Sequence, residues 1–263
     1  MKDLKLYIIM LKAAFKSSTL YRVDFSVGMI GALLYNATFL ASIGIITSRF
    51  DAIGGFTGWE IFFLFGLFMI INAFFHLLLF NMTHIGREIN SGHMDILLLR
   101  PYGVLMQMGF SKINFAAYMD FILGIVTMVI AFQKTNLQAT PLTIGLTILF
   151  VISGVLIEFA VTLVFQCIMF LTPSSGYSPL WAAYWQIIMV IQKYPLSIFA
   201  PFVRILLTCV LPVAFINYYP SLLLLGKQGG QIGWLSPLVA VLSVAIAYLF
   251  FRFSLKRYTS TGN

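Results

Sequence analysis

The sequence predicts an all-α integral membrane protein with six transmembrane helices, and three observations predict it. Of the 263 residues, 60% are hydrophobic and 9% are charged, a balance that leaves a water-soluble domain of this size too little polar surface to cover itself. Uncharged stretches near the roughly 20 residues that cross a bilayer recur along the chain. Twenty-six Phe and twelve Tyr supply side chains of the kind that face lipid and girdle the head groups. No long polar stretch is present to fold separately in water, so residues 1–263 read as a single membrane domain.

The elements follow in chain order. Residues 1–22 are expected to form an interfacial helix, because Leu4, Ile8, Leu11 and Phe15 recur at helical spacing while Lys5, Lys12 and Lys16 line a neighbouring face. They do not read as a cleaved signal, since the apolar run behind them has full span length and no small-residue cleavage site closes it. Spans are expected at 25–47, 61–82, 113–132 and 142–170, then at about 202–219, with Pro212 inside it, and about 235–252. Between the fourth and fifth, Ser178-Pro179 reads as a helix start. The helix it opens carries Trp181, Tyr184, Trp185 and Ile188 and is expected to lie along the head groups within a 171–201 loop. Residues 220–234, SLLLLG before a Gly-rich turn, are expected to dip back into the membrane, where their backbone would need burial against protein.

Charge sets the expected orientation. Thirteen Lys and Arg fall on the side of the termini, Lys193 and Arg204 among them, against Arg49, Lys134 and Lys227 on the other. Positive residues accumulate in short cytoplasmic segments, which makes both termini, the 83–112 loop and the 171–201 segment cytoplasmic. The net charge of +8 is thereby an orientation signal, and no nucleic-acid partner is expected. Cys167 and Cys209 stand in apolar runs without metal-ligand spacing and read as buried structural thiols.

The sequence contains no G-x-x-x-x-G-K-[ST] loop, G-x-S-x-G elbow or H-E-x-x-H pair. His76, His84 and His93 lie near Glu88 and Asp95, but all except His76 belong to a basic loop where polar residues are ordinary, so no metal is expected. The intramembrane polar candidates are His76, Asp120 and Glu158, each costly inside a span without a partner, water or a function. His76 and Asp120 lie about 10 Å from the inner ends of their spans and are candidates to pair. Glu158 has no evident partner. Two readings stay open for the three: a polar translocation pathway, or helix–helix hydrogen bonding.

Two segments carry a resemblance: IGREINSGHMDILLLRP at 85–101 and RILLTCVLPVAFINYYPSLLLLG at 204–226. They resemble the permeases of ABC-2 type transporters, in particular a bacterial group sharing an E-I-x-x-G-x-x-D-x-x-L-x-R-P stretch after the second span and an A-F-x-N-Y-x-P-x-x-x-L-L-G stretch near the fifth. The resemblance implies a permease subunit of an exporter, with no ATPase site or cofactor of its own. It implies two copies of a separate P-loop ATPase that bind ATP and Mg, a second permease chain, same or different, and a place in the bacterial plasma membrane. It also implies a short cytoplasmic coupling helix in the 83–112 loop, corresponding to Ile85, Arg87, Glu88, Ile89 and Asp95, with Ile89 as the apolar anchor and Glu88 at the charged rim. The rival classes are a proton-coupled secondary transporter using Asp120 and Glu158, which lacks the expected inverted repeat, and a membrane-embedded enzyme.

Overall fold

The computed structural model describes residues 22–109, 114, 116–135, 137–171 and 179–258. The expected interfacial helix, but for Arg22, and the cap at Ser178 lie outside them. The described residues are mostly helical, with no strands among them. Five helices are long and apolar enough to cross a membrane: α1 (Arg22–Thr47), α2 (Gly58–Leu79, running on through a 3-10 turn, Phe80–His84, into α3, Ile85–Asn90), α6 (Ala116–Lys134), α7 (Pro141–Leu171) and α11 (Ser236–Leu255). The shorter α-helices among the described residues are α4 (His93–Leu99), α5 (Val104–Gly109), α8 (Pro179–Ile191), α9 (Pro201–Ile205) and α10 (Tyr218–Leu224).

The bundle has two ends. At one, the 48–57 loop enters α2 through Thr57, whose N–H donates to the Glu60 carboxylate at 2.6 Å, and Lys134 closes α6 with its ammonium 5.8 Å from the Trp59 ring. At the other, α3, α4 and α5 gather against the last turns of α7 and α11, where Phe170 meets Phe251 and Tyr258. Tight packing of α2 on α6 depends on two glycines. A Cβ at Gly124 would stand 3.0 Å from Met69 Cβ and Ile70 Cγ1, and one at Gly66 would stand 3.0 Å from the Met128 nitrogen, so the missing side chains let the backbones approach.

The fifth span is corrected. Pro212 has no N–H to continue a helix and drives the residue before it out of the helical region. Leu211 is extended accordingly, with φ −110° and ψ 99°. A π-helical turn, Leu206–Val210, precedes the break, closed by Leu211 N–H donating to Leu206 O at 2.9 Å. The segments on either side of it meet at 74°. Both flanks of this bent pair return to the same end of the bundle: Ser197 Oγ donates to Gly54 O at 2.6 Å, and Lys227 Nζ donates to Gly55 O at 2.7 Å. The segment is therefore a re-entrant hairpin, and the fifth crossing is made by α8 and the residues after it.

The 171–201 segment consequently does not stay at one end. Tyr184 and Trp181 of α8 pack on Phe165, near the platform end of α7, with ring centroids 4.5 and 6.4 Å away, while Ser197 touches the opposite loop. Thirteen residues of α8 rise about 20 Å, leaving Gln192–Ser197 to cover the remaining ~10 Å of a ~30 Å hydrocarbon core. The aromatic stripe expected at the head groups is internal, with Trp181, Tyr184 and Ile188 all buried. Lys193 leaves the terminal side for the bundle interior and Arg204 moves toward the 48–57 end, so the charge bias becomes eleven against four. Cys167 is buried as expected, but Cys209, beside the π-helical turn, is exposed.

Candidate functional site

Two regions concentrate polar chemistry. The first is the platform of α3, α4 and α5. Ser91 caps α3, and Gly92 then takes the left-handed conformation, φ 70°, that lets the chain turn straight into α4. Pro101 forbids a further turn, and Arg100 is accordingly extended at ψ 145°. Gln107 staples the connection, its Nε2 donating to Leu97 O at 3.0 Å and Tyr102 O at 2.7 Å. Asn81 Nδ2 donates to Met108 O at 3.0 Å, and Gln166 of α7 donates to Thr83 O at 2.8 Å.

This seat decides which way each expected coupling residue faces. Ile85 and Ile89 share one face as their spacing of four dictates, but that face looks into the bundle: Ile85 is fully buried and Ile89 only 1% exposed, among Met82, Met94, Leu97, Met108 and Leu163. The expectation that Ile89 anchors a partner protein is corrected, because its side chain already holds α3 to the bundle. Arg87 is exposed, and Glu88 bonds the His93 ring. Asp95 lies beside the Tyr258 phenol, whose pKa is pushed up by burial and by that carboxyl. The outward face instead carries Ile96, Leu98 and Leu99, Leu99 being 87% exposed, with Arg100 and Tyr102 beside them. Sequence reading missed these because LLL in an apolar chain looks like core. The signal present was Gly92 and Pro101, which confine α4 to two turns and leave one face of it outside.

The second region lies inside the bundle. Asp120 does not pair with His76. Its Oδ1 accepts from Asn36 Nδ2 at 2.6 Å, while His76 stacks edge-on to Trp185 at 5.3 Å and its Nδ1 has no hydrogen-bond partner among the described residues. Glu158, 4% exposed, gains a partner the sequence did not suggest: Asn72 Nδ2 donates to its Oε1 at 3.1 Å. Lys193 is 4% exposed, its ammonium donating to Tyr35 Oη at 2.8 Å and lying 4.3 and 4.4 Å from the Tyr35 and Phe39 ring centroids. Asp120, Asn36, Asn72, Tyr35 and Lys193 line one cavity of about 350 Å³. Their visible signal was that Asn36 and Asn72 are the only amides in the first two expected spans away from the ends. Nothing in the sequence marks Lys193, since its burial follows from the path of α8. The three histidines do not converge, and no metal-holding group of His, Cys, Asp and Glu forms among the described residues.

A helical bundle with a rigid platform at one end and a polar cavity within is the frame of a polytopic transport subunit. The chain belongs to the ABC-2 family transporter proteins, whose family model matches residues 33–262. It is thus a multi-pass membrane protein and the permease subunit of an ABC transporter, a family that associates with an ABC ATPase. No curated protein and no solved structure matches it.

Proposed function

We propose that the chain is the membrane-spanning half of an exporter that moves its cargo outward with ATP hydrolysed on two copies of a separate P-loop ATPase, working beside a second permease chain in the bacterial plasma membrane. The partner ATPase binds the ATP and Mg. Both termini and the platform face the cytoplasm, a reading supported by the eleven-to-four charge bias.

The observation that carries the proposal is the platform's outward face. Work done on a separate protein reaches a permease only through a rigid contact, and Ile96 and Leu99 project from a seat bolted to α7 through Ile85, Ile89 and Gln166. Exposed apolar side chains on the same platform as Arg87, Arg100 and Glu88 have the make-up of a docking patch. The ATPase-coupling role of Arg87, Glu88 and Asp95 is kept at the rim, and the anchor moves from Ile89 to Leu99.

The test is co-purification and transport. Ile96→Asp with Leu99→Asp is expected to leave the permease folded while the ATPase is lost from the complex and vanadate-sensitive transport stops. Wild-type recovery of the ATPase by this variant, or transport halted by an uncoupler and indifferent to vanadate, refutes the proposal.

A further inference from the structure

The cavity between α1, α2, α6 and α8 holds a carboxyl and an ammonium that act on each other across the space without touching. Asp120 is held by Asn36, and Lys193 is held by Tyr35 and its ring cage. No ion pair joins the two, though both line the same space. A charge at bilayer depth persists with a partner, water or a function; each group here is held by its own neighbours and feels the other across the space, which leaves room between them for a group that carries both signs. Apart from Phe68, Met69 and Met189, the other lining residues are small: Gly28, Gly31 and Ala32 leave the α1 wall open, and a Cβ at Gly28 or Gly31 would meet nothing within 4 Å.

Depth adds a constraint. Phe65, beside Lys193, is seven residues from the start of α2, and Asn72 is fourteen, which places the cavity about 10 to 20 Å below the 48–57 end. That is the middle of a ~30 Å hydrocarbon core, where the head group of a resting lipid does not sit.

Resting on the permease reading, we infer that this cavity receives a zwitterionic head group, an ammonium joined to a phosphate, during its passage across the membrane. The ligand's ammonium meets Asp120 and its phosphate meets Lys193. A volume near 350 Å³ suits such a group rather than a polymer or a whole lipid, and the open α1 wall leaves acyl chains an exit toward the bilayer. Asn72 ties the cavity floor to Glu158, fixing the amide that faces the ligand.

The test titrates the purified full chain in detergent with dioctanoyl phosphatidylethanolamine, dioctanoyl phosphatidylglycerol and free glycerophosphoethanolamine. Binding of the phosphatidylethanolamine, with little response to phosphatidylglycerol, is expected. Binding of the free head group as well assigns recognition to the head group alone, and its absence assigns the ligand to lipid; either outcome supports the site. Lys193→Gln and Asp120→Asn are each expected to weaken the titration by about tenfold or more, the equivalent of about 1.4 kcal/mol. Because removing a buried charge also perturbs packing, Gly31→Leu serves as a second variant: it fills the cavity with both charges intact and is expected to abolish binding, while Gly145→Leu, facing open space on α7, leaves it unchanged. Equal affinity for phosphatidylglycerol, or undiminished binding by Gly31→Leu, overturns the inference. The permease reading is scored separately by retention of the ATPase: a chain that keeps its ATPase but binds no phosphatidylethanolamine refutes the cavity assignment alone.

Discussion

Replacing Ile89 separates a residue that holds the platform from one that meets a partner. Ile89 is 1% exposed and packed among Met82, Ile85, Met94 and Leu97, so shortening it removes buried contacts and leaves a void. Ile89→Val should cost about 0.5–1.5 kcal/mol and Ile89→Ala about 2–5 kcal/mol. At about 2–4 °C per kcal/mol for a chain of this size, the alanine variant should melt about 4 °C or more below wild type. Ile89→Asp strands a carboxylate in the same cluster, costs several kcal/mol and should accumulate poorly in the membrane. Leu99, 87% exposed, gives the opposite pattern: Leu99→Asp should change stability by no more than about 0.5 kcal/mol while releasing the ATPase. The assay is thermal unfolding of detergent-solubilised permease, followed by tryptophan fluorescence, beside a pull-down on the same preparations. A stable Ile89→Ala that fails to retain the ATPase would show that Ile89 reaches the partner after all, and the orientation derived for α3 would be wrong.

Three further outcomes are expected. In a background with Cys167 and Cys209 replaced, Ser197→Cys and Gly55→Cys should react with a membrane-impermeant maleimide from the same face; labelling from opposite faces would restore a straight fifth span. A double-mutant cycle on Asn36 and Asp120 should return a coupling near 0.6 kcal/mol, and at most about 1.7, whereas a cycle on His76 and Asp120 should return none beyond about 0.5 kcal/mol. Gly124→Val should destabilise by about 1–3 kcal/mol through overpacking against Met69 and Ile70, measured by thermal unfolding against Gly145→Ala, which faces open space and should be neutral.

The long spans were legible because a 3.6-residue helix in lipid needs only an uncharged run of sufficient length, and 25–47, 61–82 and 142–170 match α1, α2 and α7 within a few residues. The fifth crossing was not, because two segments compete for it: 202–219 has the length but is broken at Pro212, while α8 has thirteen residues and crosses only with help from an extended tail. Gln192, at the start of that tail, has its carbonyl satisfied by Asn217 Nδ2 at 2.8 Å, a contact between positions 25 apart that no local pattern announces. The polar candidates were legible as residues but not as pairs. Matched depth suggested His76 for Asp120, yet rotation about the helix axis decides partners, and it sends Asp120 to α1 and Glu158 to α2. The coupling loop shows the same split: the turn chemistry of Gly92 and Pro101 could be read, but which face of α3 is inward could not, since Ile85 and Ile89 would suit either.

The re-entrant hairpin leaves the membrane at the end where it entered, so it contributes nothing to the parity of crossings. Whatever its length, α11 still starts at the end of the bundle that holds the 48–57 loop, and its last turn still arrives beside the platform. A segment with that property can lengthen, shorten or be exchanged between related permeases without inverting anything downstream. Both of its flanks are moored at one end of the bundle, through Gly54 and Gly55 and through the Lys227–Glu60 ion pair, so such an exchange has those contacts to preserve at its borders and no register to keep across the bilayer.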